Sequence, residues 1–493
     1  MLRKIIQKIA EILFLIVAWF FVITILILPL LPLWILILTT KIFEEYIYEN
    51  LYNGIRIKSE ELPWLHDDPT NRTIINAMVV MEGQLNVKRL QKVIKEKLTN
   101  ARNDSNKKQY PKTTRYVHSG YFNYYWIEEE KFKIEDHVFE WSTDTVTSKE
   151  DLRDLLSELA CRPLIDARKL SPWEYILINY EENGLKKTVI FLRSHHSIAD
   201  GVSYIYFLIT KLNERDIILK SPPYVSKFQE MIIMAKSFAY IPLTLSKMTL
   251  TSSYDHSLIC HTSLSGKKNF TWSEPVRLDV IKRIKTKLNV TVNDVLVGCL
   301  AACYHNYFKE NNLKPPRDLM TSFPVDTRCR LDQAKEFTNK IAVMFLPLPT
   351  NSHNPLKNVC EINRRMTDIK MSGDAFSVRT GMRIFAYMLP EIINKTLYNF
   401  MLAKSSMVLS NIAGPQSKVV IAGEEVDYLV FWPPPKNKIA MSLSIFTYNE
   451  AVRLGIGCDD VLMSDPGVMI KHFGDVVKEL ANMVGDAEEF YSD

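Results

Sequence analysis

Several chemistries are excluded by what this chain does not contain. There is no Gly-x-Ser-x-Gly elbow; the nearest stretch, Gly201-Val202-Ser203-Tyr204-Ile205, lacks the second glycine. Neither His-Glu-x-x-His nor Cys-x-x-Cys occurs, so no metal-ligand spacing is present and no bound metal is expected. Gly455-Ile456-Gly457 runs into Cys458-Asp459-Asp460, so the dinucleotide fingerprint fails at its third glycine. Cysteine is sparse: seven residues, an odd number without framework spacing, argue against a disulfide scaffold and for a reducing compartment. Cys299 and Cys303, four apart on an apolar helical pattern, read as buried thiols. A net charge of only +5 over 493 residues, with no basic stripe, gives no case for nucleic acid. Five Asn-x-Ser/Thr sequons start at Asn71, Asn103, Asn269, Asn289 and Asn394, near the chance level for an Asn-rich chain.

Charge itself is absent from Ile12 to Thr40. A bilayer core needs about 20 apolar residues as helix, so this stretch can enter a membrane. It is too long for a signal-peptide core and has no small-x-small cleavage site. Pro29 and Pro32 should bend or break a helix there. The limb before them is about 26 Å long as a helix, close to one crossing, and the limb after them is too short to cross back. A single bent anchor and a re-entrant hairpin therefore compete. Arg3, Lys4 and Lys8 favour a cytosolic N-terminus, and the cysteine usage favours the hairpin, which keeps both ends cytosolic.

What is present, at 47% hydrophobic and 24% charged, is the composition of a large enzyme of two or three domains. The most informative residues are His195-His196-Ser197-Ile198-Ala199-Asp200-Gly201. A β-type run, Lys187 to Arg193, precedes them, and Val202, Ile205, Leu208, Ile209 and Leu212 follow at helical spacing. A histidine at a strand end is held by the sheet and can face a cleft, and its pKa suits proton transfer near neutrality. Asp200 reads equally as the N-cap of the helix. With no enzymic nucleophile in sight, such a base suits direct transfer between an activated acyl donor and an alcohol or amine.

His-His-x-x-x-Asp-Gly resembles the signature of the coenzyme A-dependent acyltransferase superfamily, which includes chloramphenicol acetyltransferase. Further stretches resemble its wax ester synthase/diacylglycerol acyltransferase branch: Arg162-Pro163-Leu164-Ile165-Asp166 with Pro172-Trp173-Glu174, Thr291-Val292-Asn293-Asp294-Val295, Phe323-Pro324-Val325-Asp326-Thr327-Arg328, and Ser410-Asn411-Ile412-Ala413-Gly414-Pro415. The matches run in order from about residue 60 to the C-terminus. Two positions depart from the pattern: Ser171-Pro172-Trp173 stands where the branch has Pro-Leu-Trp, and Asp326 stands where it has Ser.

The resemblance implies an α/β fold of two chloramphenicol-acetyltransferase-like half-domains forming a pseudo-dimer, here with an added N-terminal membrane segment. The corresponding division is 1–50 for the anchor or hairpin and 51–216 for the half-domain carrying the histidines. A connecting region spans 217–268 and the second half-domain 269–493. The implied catalytic residues are His196 as base, with His195 and Asp200; Gly201, Asn293 and Arg328 are supporting. Asp200 is implied to pair with Arg328, with Arg330 as fallback, while Asn293 and Asp294 read by themselves as helix-capping residues. The implied reaction carries a long fatty acyl group from acyl-CoA, a co-substrate rather than a resident cofactor, to a fatty alcohol or diacylglycerol. A catalytically silent scaffold or lipid-binding protein of the same fold, and a sterol or amine acceptor, remain as alternatives. Partners are then acyl-CoA, the lipid acceptor and a membrane. The endoplasmic reticulum with a cytosolic catalytic domain is the expected place, a lipid droplet or plasma membrane being possible.

Overall fold

In the computed structural model, residues 2–142, 144–164, 169–217, 225–250 and 263–485 are described. Helix α1 (Leu2–Phe21) runs through a π-helical turn at Val22–Ile27 into α2 (Leu28–Tyr52). The hairpin expectation is thereby corrected: Phe21 and Leu28 keep right-handed helical angles, and the chain does not reverse at Pro29 or Pro32. Proline removes an N–H and crowds the carbonyl four residues back. The wider π turn directly ahead of Pro29 relaxes that conflict without a break. Residues Ile6–Ile25 are apolar and long enough to cross a membrane by length and composition.

The far end of α2 is fastened to the body. Lys41 Nζ donates to Tyr387 O at 2.7 Å, and the Glu44 carboxylate accepts from Tyr121 N at 2.5 Å and from Asn123 Nδ2 at 3.1 Å. The helix stops where Asn53 turns left-handed at φ 48°.

After α2 come β1 (Ile55–Arg56), α3 (Leu62–Leu65), β2 (Ile74–Met81), α4 (Val87–Ile94), β3 (Arg115–Ser119) and β4 (Tyr124–Glu128). Then follow β5 (Val138–Glu140), α5 (Lys149–Ala160), β6 (Trp173–Glu182), β7 (Leu185–His195), α6 (Gly201–Phe207) and α7 (Lys227–Leu250). The second half has β8 (Lys268–Trp272), β9 (Val276–Arg277), α8 (Leu278–Leu288), α9 (Val292–Glu310), β10 (Asp318–Asp326), β11 (Ile341–Pro349) and α10 (Pro355–Ser372). It ends with α11 (Asp374–Met388), α12 (Glu391–Leu402), β12 (Met407–Ala413), β13 (Val420–Ile421), β14 (Glu424–Trp432), β15 (Met441–Tyr448), β16 (Ala451–Asp459) and α13 (Phe473–Met483).

One large sheet has the order β13-β14-β2-β7-β6-β5, the other β11-β10-β12-β15-β16-β8 with β9 on β16. The first is covered on both faces, so its strands are continuous apolar runs. Alternation along β2 sends Ala77, Val79 and Met81 into one core and Met78 and Val80 into another. Strand β14 comes from the second half yet pairs antiparallel with β2, Leu429 opposite Val79, so the chain crosses between the halves and ties their sheets together.

In the second half, Thr291 and Asp294 form a reciprocal capping box at the start of α9. The small residue Gly298 marks a close approach: a Cβ there would lie 2.5 Å from Val359 of α10. Cys299 and Cys303 are free and buried on α9, and burial pushes both thiols up. Helix α7 turns one face to the body and one outward: Ser237, Ile241 and Thr244 are buried, while Phe228, Met231 and Phe238 are exposed. Ile165, Asp166 and Ser221-Pro222-Pro223 lie outside the described residues.

Candidate active site

Strand β7 sets the two histidines. His195 still pairs with Ile74 of β2, and His196 N extends the ladder by donating to Thr73 O at 2.8 Å. Adjacent residues of an extended chain point to opposite sides, so the rings face different surroundings.

His195 is fully buried. Its Nδ1 accepts from Ser197 N at 3.3 Å and lies 2.7 Å from Ser197 Oγ; its Nε2 faces Asp67 Oδ2 at 3.3 Å. A backbone N–H only donates, so Nδ1 is unprotonated and the proton sits on Nε2, toward the carboxylate. Burial would raise the Asp67 carboxyl, but hydrogen bonds from His195 and Thr73 outweigh it and hold the pKa below its ordinary value. Both nitrogens of His195 are thus committed.

His196, 7% exposed, lines a cavity of about 170 Å³ with Asp200, Gly201, Trp64 and Lys436. Its Nδ1 lies 2.9 Å from Asn339 Oδ1, and Asn339 Nδ2 donates to His196 O at 2.9 Å. The carbonyl can only accept, which fixes the amide's orientation. Asn339 Oδ1 must then receive a proton from Nδ1, leaving the lone pair on Nε2. Nε2 has no hydrogen-bond partner among the described residues. Trp64 stacks on the ring at 3.8 Å. Burial drives the imidazole pKa down to about 4, against the opposing pull of Asp200, so the ring is neutral and able to accept a proton at physiological pH.

Asp200 is the N-cap of α6, accepting from Ser203 N at 3.0 Å. It is also an ion-pair partner: Arg328 Nη2 donates to its two oxygens at 3.0 and 2.9 Å, and Lys340 N adds a third donor at 2.8 Å. The two readings of Asp200 therefore coexist. Arg328 is 3% exposed and also reaches Asp326 at 3.0 Å. Arg330 pairs elsewhere, with Glu230 at 3.3 Å. From below, Lys112 Nζ donates to Ile198 O at 2.9 Å while paired with buried Glu61 at 2.5 Å. Gly201 sits close to the second half, where a Cβ would come within 2.8 Å of Ile412 Cδ1 and make that side chain shift.

The structure thus gathers His195, His196, Asp200, Gly201 and Arg328 into one site. Asn293 is not among the residues lining the cavity; its Oδ1 accepts from Asn411 Nδ2 at 2.8 Å, and Asn411 is the lining residue. Asn339, Trp64, Asp67, Lys112 and Lys436 escaped the sequence reading. The run Pro433-Pro434-Pro435 is a usable sequence signal for Lys436, since Pro433 and Pro434 line the cavity beside it. Lys436 sits 5.6 Å over the Trp64 ring and 5.3 Å over that of Tyr398, and burial brings its pKa down to about 7.

Chemically, a neutral imidazole with one oriented, open nitrogen in a mainly apolar cavity can take a proton from a hydroxyl. Among the described residues no group of His, Cys, Asp and Glu could hold a metal ion.

The wax ester synthase/diacylglycerol acyltransferase catalytic domain family matches residues 73–223, and the WS/DGAT C-terminal domain family matches residues 337–481. The chain is 24% identical over 380 residues to "Probable diacyglycerol O-acyltransferase tgs1" of Mycobacterium tuberculosis (strain CDC 1551 / Oshkosh), covering 72% of this chain and 81% of that one. It is 24% identical over 418 residues to wax ester synthase/diacylglycerol acyltransferase 2 of Arabidopsis thaliana, covering 73% of this chain and 82% of that one. Among solved structures, the wax ester synthase/diacylglycerol acyltransferase from Marinobacter aquaeolei VT8 superposes with TM-score 0.58 at 17% identity, over 87% of this chain and 99% of that one. That likeness bears on the fold, and the two family matches, together covering more than half of the sequence, bear on descent: the chain belongs to the wax ester synthase/diacylglycerol acyltransferase family.

Proposed function

We propose that this chain transfers a long-chain fatty acyl group from acyl-CoA to the hydroxyl of a fatty alcohol or diacylglycerol at a membrane, with catalysis on the cytosolic side. The observation that carries the reading is the Asn339–His196 pair, which leaves Nε2 as the open base of a cavity that shares lining residues with a larger apolar one. As the hydroxyl oxygen attacks the thioester carbonyl, Nε2 takes its proton. When the tetrahedral intermediate collapses, the C–S bond breaks and the same proton passes to the departing thiolate. Arg328 and Lys112 touch no reacting atom; they hold the loop that aims the ring.

The size of the transfer energy favours a long chain. A buried methylene is worth about 0.8 kcal/mol, so a sixteen-carbon chain prefers membrane to water by roughly 12 kcal/mol and an acetyl group by about one. Only the former rewards an anchor. On α1, Gln7, Lys8 and Glu11 fall at helical spacing and Gln7 bonds Glu11. A helix with one polar stripe and an apolar remainder suits insertion along one leaflet, which keeps both the N-terminus and the catalytic residues cytosolic without a hairpin. The endoplasmic reticulum is the proposed membrane. The deciding experiment is lipid mass spectrometry of cells lacking their own neutral-lipid synthases: expression should restore wax ester or triacylglycerol, and His196→Ala should not. Restoration by the variant would reject the reading.

A further inference from the structure

The catalytic cavity shares part of its wall with a larger one. Val343, Tyr398 and Leu402 line it and also line a second cavity of about 500 Å³. The walls of this larger space come from four helices: Ile37 of α2, Leu245 of α7, Met382 of α11 and Leu397 of α12. One wall is therefore the membrane segment itself, held by the Lys41 and Glu44 bonds described above. Its volume lies in the range of sites that enclose a whole small ligand.

Where this cavity reaches the surface, its rim is apolar and aromatic. Tyr121 is 97% exposed, and Phe122, Leu397 and Phe400 are exposed too. Beside the rim stand Phe43 of α2 and Ile392 and Ile393 of α12, all exposed, and the exposed face of α7 continues the patch toward Trp19 of α1, which stacks on Phe238. Tyrosine and other aromatics at an apolar mouth are what a bilayer interface selects. A patch of this kind, continuous with the anchor, marks a contact with lipid rather than water.

The lining also limits the ligand. A phosphate-bearing headgroup needs several cationic partners. Here Lys41 is engaged with Tyr387 O, and His66, 5% exposed, is kept neutral by burial, with its pKa near 4. An uncharged chain fits; the phosphates of an acyl donor do not. His66 Nδ1 is buried on this wall with no hydrogen-bond partner, while its Nε2 faces Glu391 at 3.5 Å. With the proton on Nε2, toward the carboxylate, Nδ1 is an acceptor and offers one polar contact to a lipid that carries a hydroxyl.

We propose that the cavity between α2, α7, α11 and α12 is a conduit, open to the bilayer, that binds an uncharged hydroxyl-bearing lipid by its chain and delivers it to His196. The inference rests on the acyl-acceptor reading above but can be tested apart from it. The full-length protein is placed in phosphatidylcholine vesicles with a photoactivatable alkyl-diazirine fatty alcohol or, in a second arm, the corresponding diacylglycerol, and adducts are mapped by mass spectrometry. Adducts on Met382, Phe385 or Leu397 in either arm support the conduit, and the arm that gives them names the lipid. Adducts confined to the outer faces of α1 and α7 overturn it. An activity arm compares Leu245→Trp and Met382→Trp with the unaltered chain. Transfer to a long-chain acceptor should fall by about tenfold or more, the worth of roughly two buried methylenes, and transfer to a soluble short-chain alcohol should stay within about twofold. Equal losses for both acceptors in correctly folded variants contradict the conduit. Cavity adducts without acyl transfer from any donor would instead sink the acyltransferase reading and leave the lipid site standing.

Discussion

The two adjacent histidines differ in what is left over. His195 spends both nitrogens, one on Ser197 and one toward Asp67. His196 spends one on Asn339 and keeps the other open to the cavity. The same side chain on the same strand end is thus a structural tie on one side of the sheet and, in the proposed reaction, the base on the other. What separates them is the partner that fixes the tautomer, a backbone amide in one case and an asparagine amide in the other.

The comparison is broken most severely at His196. His196→Ala should lower turnover by about 10²–10⁴ while the fold is kept, whereas His195→Ala should chiefly loosen the Asp67 corner, at about 1–3 kcal/mol of stability. Turnover by the purified variants, read beside their unfolding midpoints, checks this; equal catalytic losses would erase the distinction. Next is the Asp200–Arg328 pair, which links the halves at 2.9 Å with both side chains buried. Asp200→Asn leaves the guanidinium with Asp326 as its carboxylate partner, so a cost of about 1–3 kcal/mol is expected together with lost activity. A double-mutant cycle with Arg328→Met in denaturant unfolding should show strong coupling; a coupling near zero would leave Asp200 a plain N-cap.

Asn339→Leu comes third. The ring remains stacked on Trp64 but its tautomer is no longer imposed, so turnover should fall by about 10–100-fold, less than removal of the base. Steady-state kinetics should show the change in kcat more than in KM. Smallest is deletion of residues 1–40, which removes the apolar run but spares Lys41 and Glu44. Transfer to a soluble short-chain alcohol should persist within about twofold while membrane recovery on flotation drops. Deletion of 1–52 also removes the bonds of Lys41 and Glu44 and should lower the unfolding midpoint as well. None of the five sequons should be glycosylated, and an endoglycosidase-sensitive gel shift would place the catalytic residues in a lumen.

Legibility in the sequence followed distance along the chain. The histidine motif, the strand before it and the capping helix after it lie within some twenty-five consecutive residues, and local pattern sufficed. Arg328 came from the resemblance. Asn339 did not come at all: it is 143 residues from His196 in sequence, sits in no motif, and is made significant only by the topology that lays it against the ring. Asn293, implied as a supporting residue and read by itself as a helix-start residue, stands one step back from the cavity, behind Asn411. The two prolines were read as a break, since an ideal α-helix cannot absorb them; a π turn can, and nothing in the residue types announces one.

The account turns on which nitrogen of His196 is open. Selective ¹⁵N-histidine labelling, with His196 assigned from the signals missing in His196→Ala, reads both tautomer and protonation directly across a pH titration. The structure predicts a neutral ring with its proton on Nδ1, unchanged from pH 8 to about 5 and protonating only near pH 4. Protonation near the ordinary histidine value of about 6.5, or a proton resident on Nε2, would contradict it.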